Sequence, residues 1–204
     1  MTLGGLVNIG IVFNEQHSLV DTIGDMKAFL QHKGCRLVSV KFSEDIDGEN
    51  WVEIDIHDNK LDDSFLDGYY MSVELSGSIF DSMTDEIATT LRIEKESNYH
   101  GYLFSINWGD LFPDENNELE IRHTRQKIVG TLIELYQTIS YSYAFVGHEI
   151  EIELDPEEFA RTIADNHSYP VAMVRAEGGL DLYYGSTGID GFSKEVPRKE
   201  SISL

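Results

Sequence analysis

Two stretches of the chain alternate between aliphatic and acidic side chains, and a period of two reads as a strand with one dry face and one wet face. In Trp51–His57, Val52, Ile54 and Ile56 point one way, while Trp51, Glu53, Asp55 and His57 point the other. In Glu149–Leu154, Ile150, Ile152 and Leu154 alternate with Glu149, Glu151 and Glu153. Arg36–Phe42 alternates too, with Leu37, Ser39 and Lys41 set against Val38, Val40 and Phe42. One-sided strands of this kind belong to antiparallel sheets, which keep one face in water. The first and third stretches predict a hairpin closed by Ser43–Asn50, longer than a two-residue turn.

The rest of the chain fills in around that sheet. Val7–Phe13 is a continuous apolar, β-branched run and reads as a buried strand. Further strands are predicted at Tyr69–Leu75, Thr89–Lys95, Gly101–Trp108, Tyr141–Phe145, Val171–Ala176 and Leu180–Tyr184, the last two joined by a Glu177-Gly178-Gly179 turn. A long helix is predicted over 15–33, capped by Asn14, striped by Leu19, Ile23, Met26, Phe29 and Leu30, and stopped by Gly34. A loop over 109–117 leads to a second long helix over 119–140, striped by Ile128, Leu132, Leu135 and Ile139. Asp155-Pro156-Glu157-Glu158 begins a short third helix that ends near Asp165-Asn166. The fold class is therefore α+β, a mainly antiparallel sheet with two long helices and one short one. Residues 1–185 are expected to form one domain, with 186–204 a loosely ordered polar tail.

Charge narrows the function. The 204 residues carry 37 acids and 15 bases, a net −22, which disfavours nucleic acid or an anionic membrane as direct partner. No run approaches the ~18 apolar residues of a membrane span. Met1–Leu6 has neither a basic segment nor a long apolar one, so a cytoplasmic protein is expected. Cys35 stands alone, which rules out an internal disulfide and a cysteine-based zinc site.

Chemical motifs are missing from the sequence: there is no phosphate-binding loop, no GxGxxG and no GxSxG. Gly147-His148-Glu149 starts like a zinc-protease helix, but Ile152 stands where the second histidine belongs. Asp45–Glu49 resembles a calcium loop, yet the sixth position is Asn50 and the twelfth Ile56, which makes it a solvated turn. No catalytic residue, metal ligand or cofactor is expected. A small-molecule-binding protein or a carboxylate-using enzyme stays open as the alternative, because 37 acids allow many pairs. A decoy that imitates nucleic acid is a third reading, distinguished by poor selectivity among basic proteins.

The acids are clustered. Residues 43–67 hold ten of them against the single base Lys60, and residues 149–158 hold six and no base. Acidic rows repel one another by a few tenths of a kcal/mol per exposed pair. A cationic partner would turn that repulsion into attraction and faster association. The candidate partner-binding residues are Asp47, Glu49, Trp51, Glu53 and Asp55 in one patch, with Trp51 as aromatic anchor, and Glu149, Glu151 and Glu153 in another.

Ile9-Gly10-Ile11-Val12-Phe13-Asn14-Glu15, Ser43-Glu44-Asp45 running to Trp51-Val52-Glu53-Ile54, and Tyr143-Ala144-Phe145 through His148-Glu149 to Pro156-Glu157-Glu158-Phe159 resemble the immunity protein 64 family, over most of residues 7–185. The resemblance implies an α+β protein of a bacterial polymorphic toxin system that protects its producer by binding the C-terminal domain of the cognate toxin. It implies no catalytic residues and supplies no interface positions, so the acidic patches rest on the residues themselves.

Overall fold

The apolar run near the start of the chain becomes the middle of the sheet. In the computed structural model, which describes residues 5–58, 61, 63–77, 79–80, 87–114, 117–164 and 168–204, β1 (Leu6–Asn14) is flanked on both sides by distant strands. It pairs with β6 (Tyr99–Asn107), Ile9 opposite Phe104, and with β7 (Tyr143–His148), Ile9 opposite Val146. Its residues face packing on both sides of the sheet, hence an unbroken apolar sequence.

The other strands are β2 (Arg36–Ser43), β3 (Trp51–Asp55), β4 (Tyr69–Ser76), β5 (Ala88–Lys95), β8 (Val171–Ala176), β9 (Gly179–Tyr184) and β10 (Arg198–Ser203). All ten form one sheet in the order β10-β9-β8-β7-β1-β6-β5-β4-β2-β3. Every neighbouring pair is antiparallel. With α1 (Leu19–His32), α2 (Trp108–Leu111), α3 (Glu118–Thr138) and α4 (Pro156–Ile163), the chain is an α+β protein. Among the described residues, no helix is long and apolar enough to cross a membrane.

One face of the sheet carries the main core. Ile23, Met26 and Leu30 of α1 and Ile128, Leu132 and Leu135 of α3 pack there on odd-numbered β1 residues and on the apolar sides of β4, β5 and β6. Each such side chain, fully buried, contributes about 1.5–3 kcal/mol. On the other face a smaller cluster gathers Phe159 and Ile163 of α4 with Val12, Leu103, Tyr143, Phe145 and Ala172.

Side-chain caps set the starts of α3 and α4. Asp155 accepts from the N–H groups of Glu157 and Glu158, both at 2.9 Å, and Pro156 follows it, as the sequence predicts. Asn117 caps α3 through the Glu120 N–H at 3.2 Å. Asn14 does not cap α1: it stays in β1 opposite Tyr99, its side chain accepts from the Gln16 N–H, and the helix starts at Leu19 after Ser18. The expected loop over 109–117 holds the short α2 at its start. α4 ends at Ile163, and the expected end at Asp165-Asn166 reaches beyond the described residues.

The polar C-terminal stretch is no loose tail throughout. Arg198–Ser203 forms the edge strand β10 along the whole of β9. The Arg198 guanidinium lies 3.7 Å from the centre of the Tyr184 ring, and Lys199 Nζ is 2.8 Å from the Asp181 carboxylate. Gly179 lets the strand in, since a Cβ there would sit 1.8 Å from the Ile202 carbonyl oxygen.

Candidate functional site

Among the described residues, the second face of the sheet is covered over only part of its width. After β7 the chain turns at Glu149, which has a left-handed φ of +54°, and crosses the sheet as an extended strap over 149–155 before entering α4. Ile150 lies over Gly147, where a Cβ would come within 2.1 Å of its Cδ1. Ile152 lies over Gly101, where a Cβ would come within 2.7 Å. At both glycines a Cβ would press on the end of an isoleucine side chain, so each lets the strap lie close to the sheet. Asn8 Nδ2 donates to the Ile150 carbonyl at 3.0 Å, and the Tyr143 hydroxyl donates to the Leu154 carbonyl at 2.6 Å. Tyr143 stacks on Phe159 at 3.8 Å, and its burial pushes the phenol well above its usual pKa.

The strap is not the strand that its alternation predicts. The places beside β7 are already taken by β1 and β8, so its backbone has no ladder to join. The alternation holds as inside against outside: Ile150, Ile152 and Leu154 pack on the smaller cluster, and Glu149, Glu151 and Glu153 are exposed.

Beyond the strap no described residue roofs the second face of β5, β4, β2 and β3, which has a polar floor. Register places Lys41, Ser72, Glu74, Thr90, Arg92 and Glu94 there, while Met71, Val73, Leu91 and Ile93 point into the main core. Thr90 donates to Glu74 at 2.9 Å. Arg92 pairs with Glu94 at 3.6 Å and reaches across to Glu151 of the strap. The floor dips into a trough of about 420 Å³ bordered by Lys41, Trp51, Tyr70 and Arg92.

The β2–β3 hairpin forms the far wall of the trough. Trp51 and Tyr70 are 48% and 59% exposed, and their rings lie 6.2 Å apart. Neither is loose. Trp51 Nε1 donates to the Gly48 carbonyl and the Tyr70 hydroxyl to the Ile46 carbonyl, each at 2.7 Å, so both aromatics hold the loop over 44–50. Lys41 Nζ sits 5.0 Å from the Trp51 ring centre, within cation–π range. The Asp45 carboxylate accepts from the N–H groups of Glu49 at 3.0 Å and Asn50 at 2.7 Å. These bonds, the Glu49 one foremost, hold its carboxyl below the usual carboxylate range. The Asp45 carboxylate thus builds a turn. Among the described residues no three His, Cys, Asp or Glu side chains gather to hold a metal ion.

Of the candidate residues from the sequence, Trp51 borders this trough, and the others lie outside its lining. Trp51, Glu53 and Asp55 share the trough side of β3, with Glu53 opposite Lys41 and Asp55 opposite Ser39. Asp47 and Glu49 are exposed in the loop beside them. Glu151 reaches the same floor from the strap through Arg92, whereas Glu149 and Glu153 are exposed without an ion pair to that floor among the described residues. Sequence reasoning missed Lys41, Tyr70 and Arg92. The available signal was two bases on the wet sides of alternating strands, Lys41 beside Ser39 and Arg92 between Thr90 and Glu94.

Comparison with known proteins adds three findings. A family model described as Immunity protein 64 matches residues 12–194. No curated protein matches the chain. Among solved structures, a T6SS protein of Pseudomonas aeruginosa is similar at 10% identity with a TM-score of 0.34, over 72% of this chain and 40% of that one, so the chain spans about two-fifths of that protein's length.

Proposed function

Because the chain belongs to the immunity protein 64 family, we propose that it binds the C-terminal domain of a cognate bacterial toxin in the cytoplasm and neutralises it by occlusion, with no turnover and no cofactor. The observation that carries the docking surface is the bare half of the sheet, where exposed Trp51 and Tyr70 stand beside exposed acids on a polar floor. Exposed aromatics on a held backbone suit an interface anchor, because little conformational freedom is lost on binding. Asp47, Glu49, Glu53 and Asp55 on one wall and Glu151 on the other, with Glu149 and Glu153 further along the strap, attract a basic toxin domain and speed its encounter. Lys41 and Arg92 fix the approach by repelling a misplaced cation.

The test uses the neighbouring gene. The C-terminal domain encoded immediately upstream is induced in a test bacterium with and without this protein. Rescue from a domain that kills alone, with a complex that co-purifies, is the expected result. A lethal domain that is neither bound nor blocked counts against the reading and turns attention to small ligands. Charge reversal at Glu53 and Asp55 is expected to slow association at low salt and flatten its salt dependence, and an unchanged on-rate removes this wall from the interface.

A further inference from the structure

The two edges of the sheet differ in what they leave open. β10 closes one edge with Arg198, Lys199 and Glu200, charged side chains that discourage further pairing. β3 closes the other with Trp51-Val52-Glu53-Ile54-Asp55, which has no lysine, arginine or proline, and its Ile54 is 47% exposed.

The hydrogen bonds fix which backbone groups of β3 face outward. The Ile56 N–H donates to the Val38 carbonyl and the Asn50 carbonyl accepts from the Glu44 N–H, both at 2.8 Å. In an antiparallel pair the bonded residues alternate, so 50, 52, 54 and 56 address β2. Trp51, Glu53 and Asp55 therefore turn their N–H and C=O groups away from the sheet. Among the described residues no backbone group bonds to them. The residues with outward backbone are also those whose side chains stand on the trough wall.

We propose that this edge takes an extended strand of the toxin domain, which joins the sheet as an eleventh strand beside β3. The inference rests on the immunity reading and deepens it. Charge selects the occupant. A strand with Lys or Arg at alternate positions meets Glu53 and Asp55 on the trough face, and an apolar residue between them covers Ile54 on the other. A second copy of this chain is a poor fit, because antiparallel pairing of two β3 strands about Glu53 or Ile54 sets acid against acid. The added strand leads its domain onto Trp51 and Tyr70.

The experiment is residue-resolved amide exchange on this full chain, free and in the co-expressed complex with the C-terminal domain encoded upstream. The free protein is expected to exchange the amides of Trp51, Glu53 and Asp55 fast. In the complex they slow by about tenfold or more, while those of Val52 and Ile54 change little. A second arm compares E53Q with E53P, both checked for native circular dichroism. Both lose the charge and only the second loses an outward donor, so a further loss in affinity of up to about tenfold is expected for E53P. A complex that forms with those three amides still fast overturns the strand and leaves the immunity reading standing. Failure to form any complex overturns both. Slowing of the same amides in the free chain with rising concentration assigns the edge to self-association and overturns the proposal.

Discussion

The second face of the sheet is two surfaces on one set of strands. Over β1, β6, β7 and β8 it is floored by glycines and rings, Gly101, Gly147, Tyr143 and Phe145, and roofed by the strap and α4. Over β5, β4, β2 and β3 it is floored by Lys41, Glu74, Arg92 and Glu94 and left open. The backbone is alike in the two halves, and the side chains decide. A glycine floor lets an aliphatic strap descend to contact distance. A charged floor under the same strap would have to give up water, at several kcal/mol per unpaired ion. Arg92 stands at the seam, paired with Glu151 of the roof and Glu94 of the open floor.

The contrast can be tested from its strongest side to its weakest. Phe159→Ala removes the ring that stacks on Tyr143 and holds the roof, and is expected to cost about 3–5 kcal/mol in urea unfolding. A loss below 1 kcal/mol would mean that the roof is not part of the cooperative core. Gly101→Val pushes Ile152 upward and is expected to cost about 1–3 kcal/mol, again by urea. The smallest effect belongs to the open half and is a matter of pH. Asp45, ionised, holds the loop over 44–50, and its carboxyl titrates below the ordinary 3.8. That stabilisation is present above 3.8 and is lost as the pH falls through the depressed folded value. The indole N–H resonance of Trp51, bonded to Gly48, is expected to shift in that acid range, and Asp45→Ala is expected to move it at neutral pH. An indole signal that does not respond to either would detach the loop from Asp45.

What the sequence made legible was mostly local pattern, although the Asn14 cap expected for α1 is not formed. The β2–β3 hairpin, the stripes of α1 and α3 and the Asp155 cap are all local, and all are where their residues place them. The strap was misread because alternation reports which side is dry and not whether a backbone partner is free, and β1 had taken that place from far away in the chain. β10 escaped for the opposite reason: Arg198 on Tyr184 and Lys199 on Asp181 hold it with polar groups that look like solvent-facing sequence. The tryptophans could not be told apart by pattern. Trp108 is buried and donates to the Asp190 carbonyl at 2.9 Å, while Trp51 is an exposed brace. Of the trough, the acids were legible as a cluster. Lys41, Tyr70 and Arg92 were not, since their meeting depends on register.

The placing of β1 sets a timetable for the newborn chain. Ile9 pairs with Phe104, 104 − 9 = 95 residues later, and then with Val146. At a synthesis rate of about 5–20 residues per second, its first partner strand arrives after roughly 5–20 seconds. Throughout that interval the nine-residue β1 has neither of its two partner strands. The strands of the open half follow one another in sequence and can zip meanwhile. The open half of the sheet can thus pair before β1 has its two neighbours, and β8, β9 and β10, made after β7, complete the sheet from the other edge.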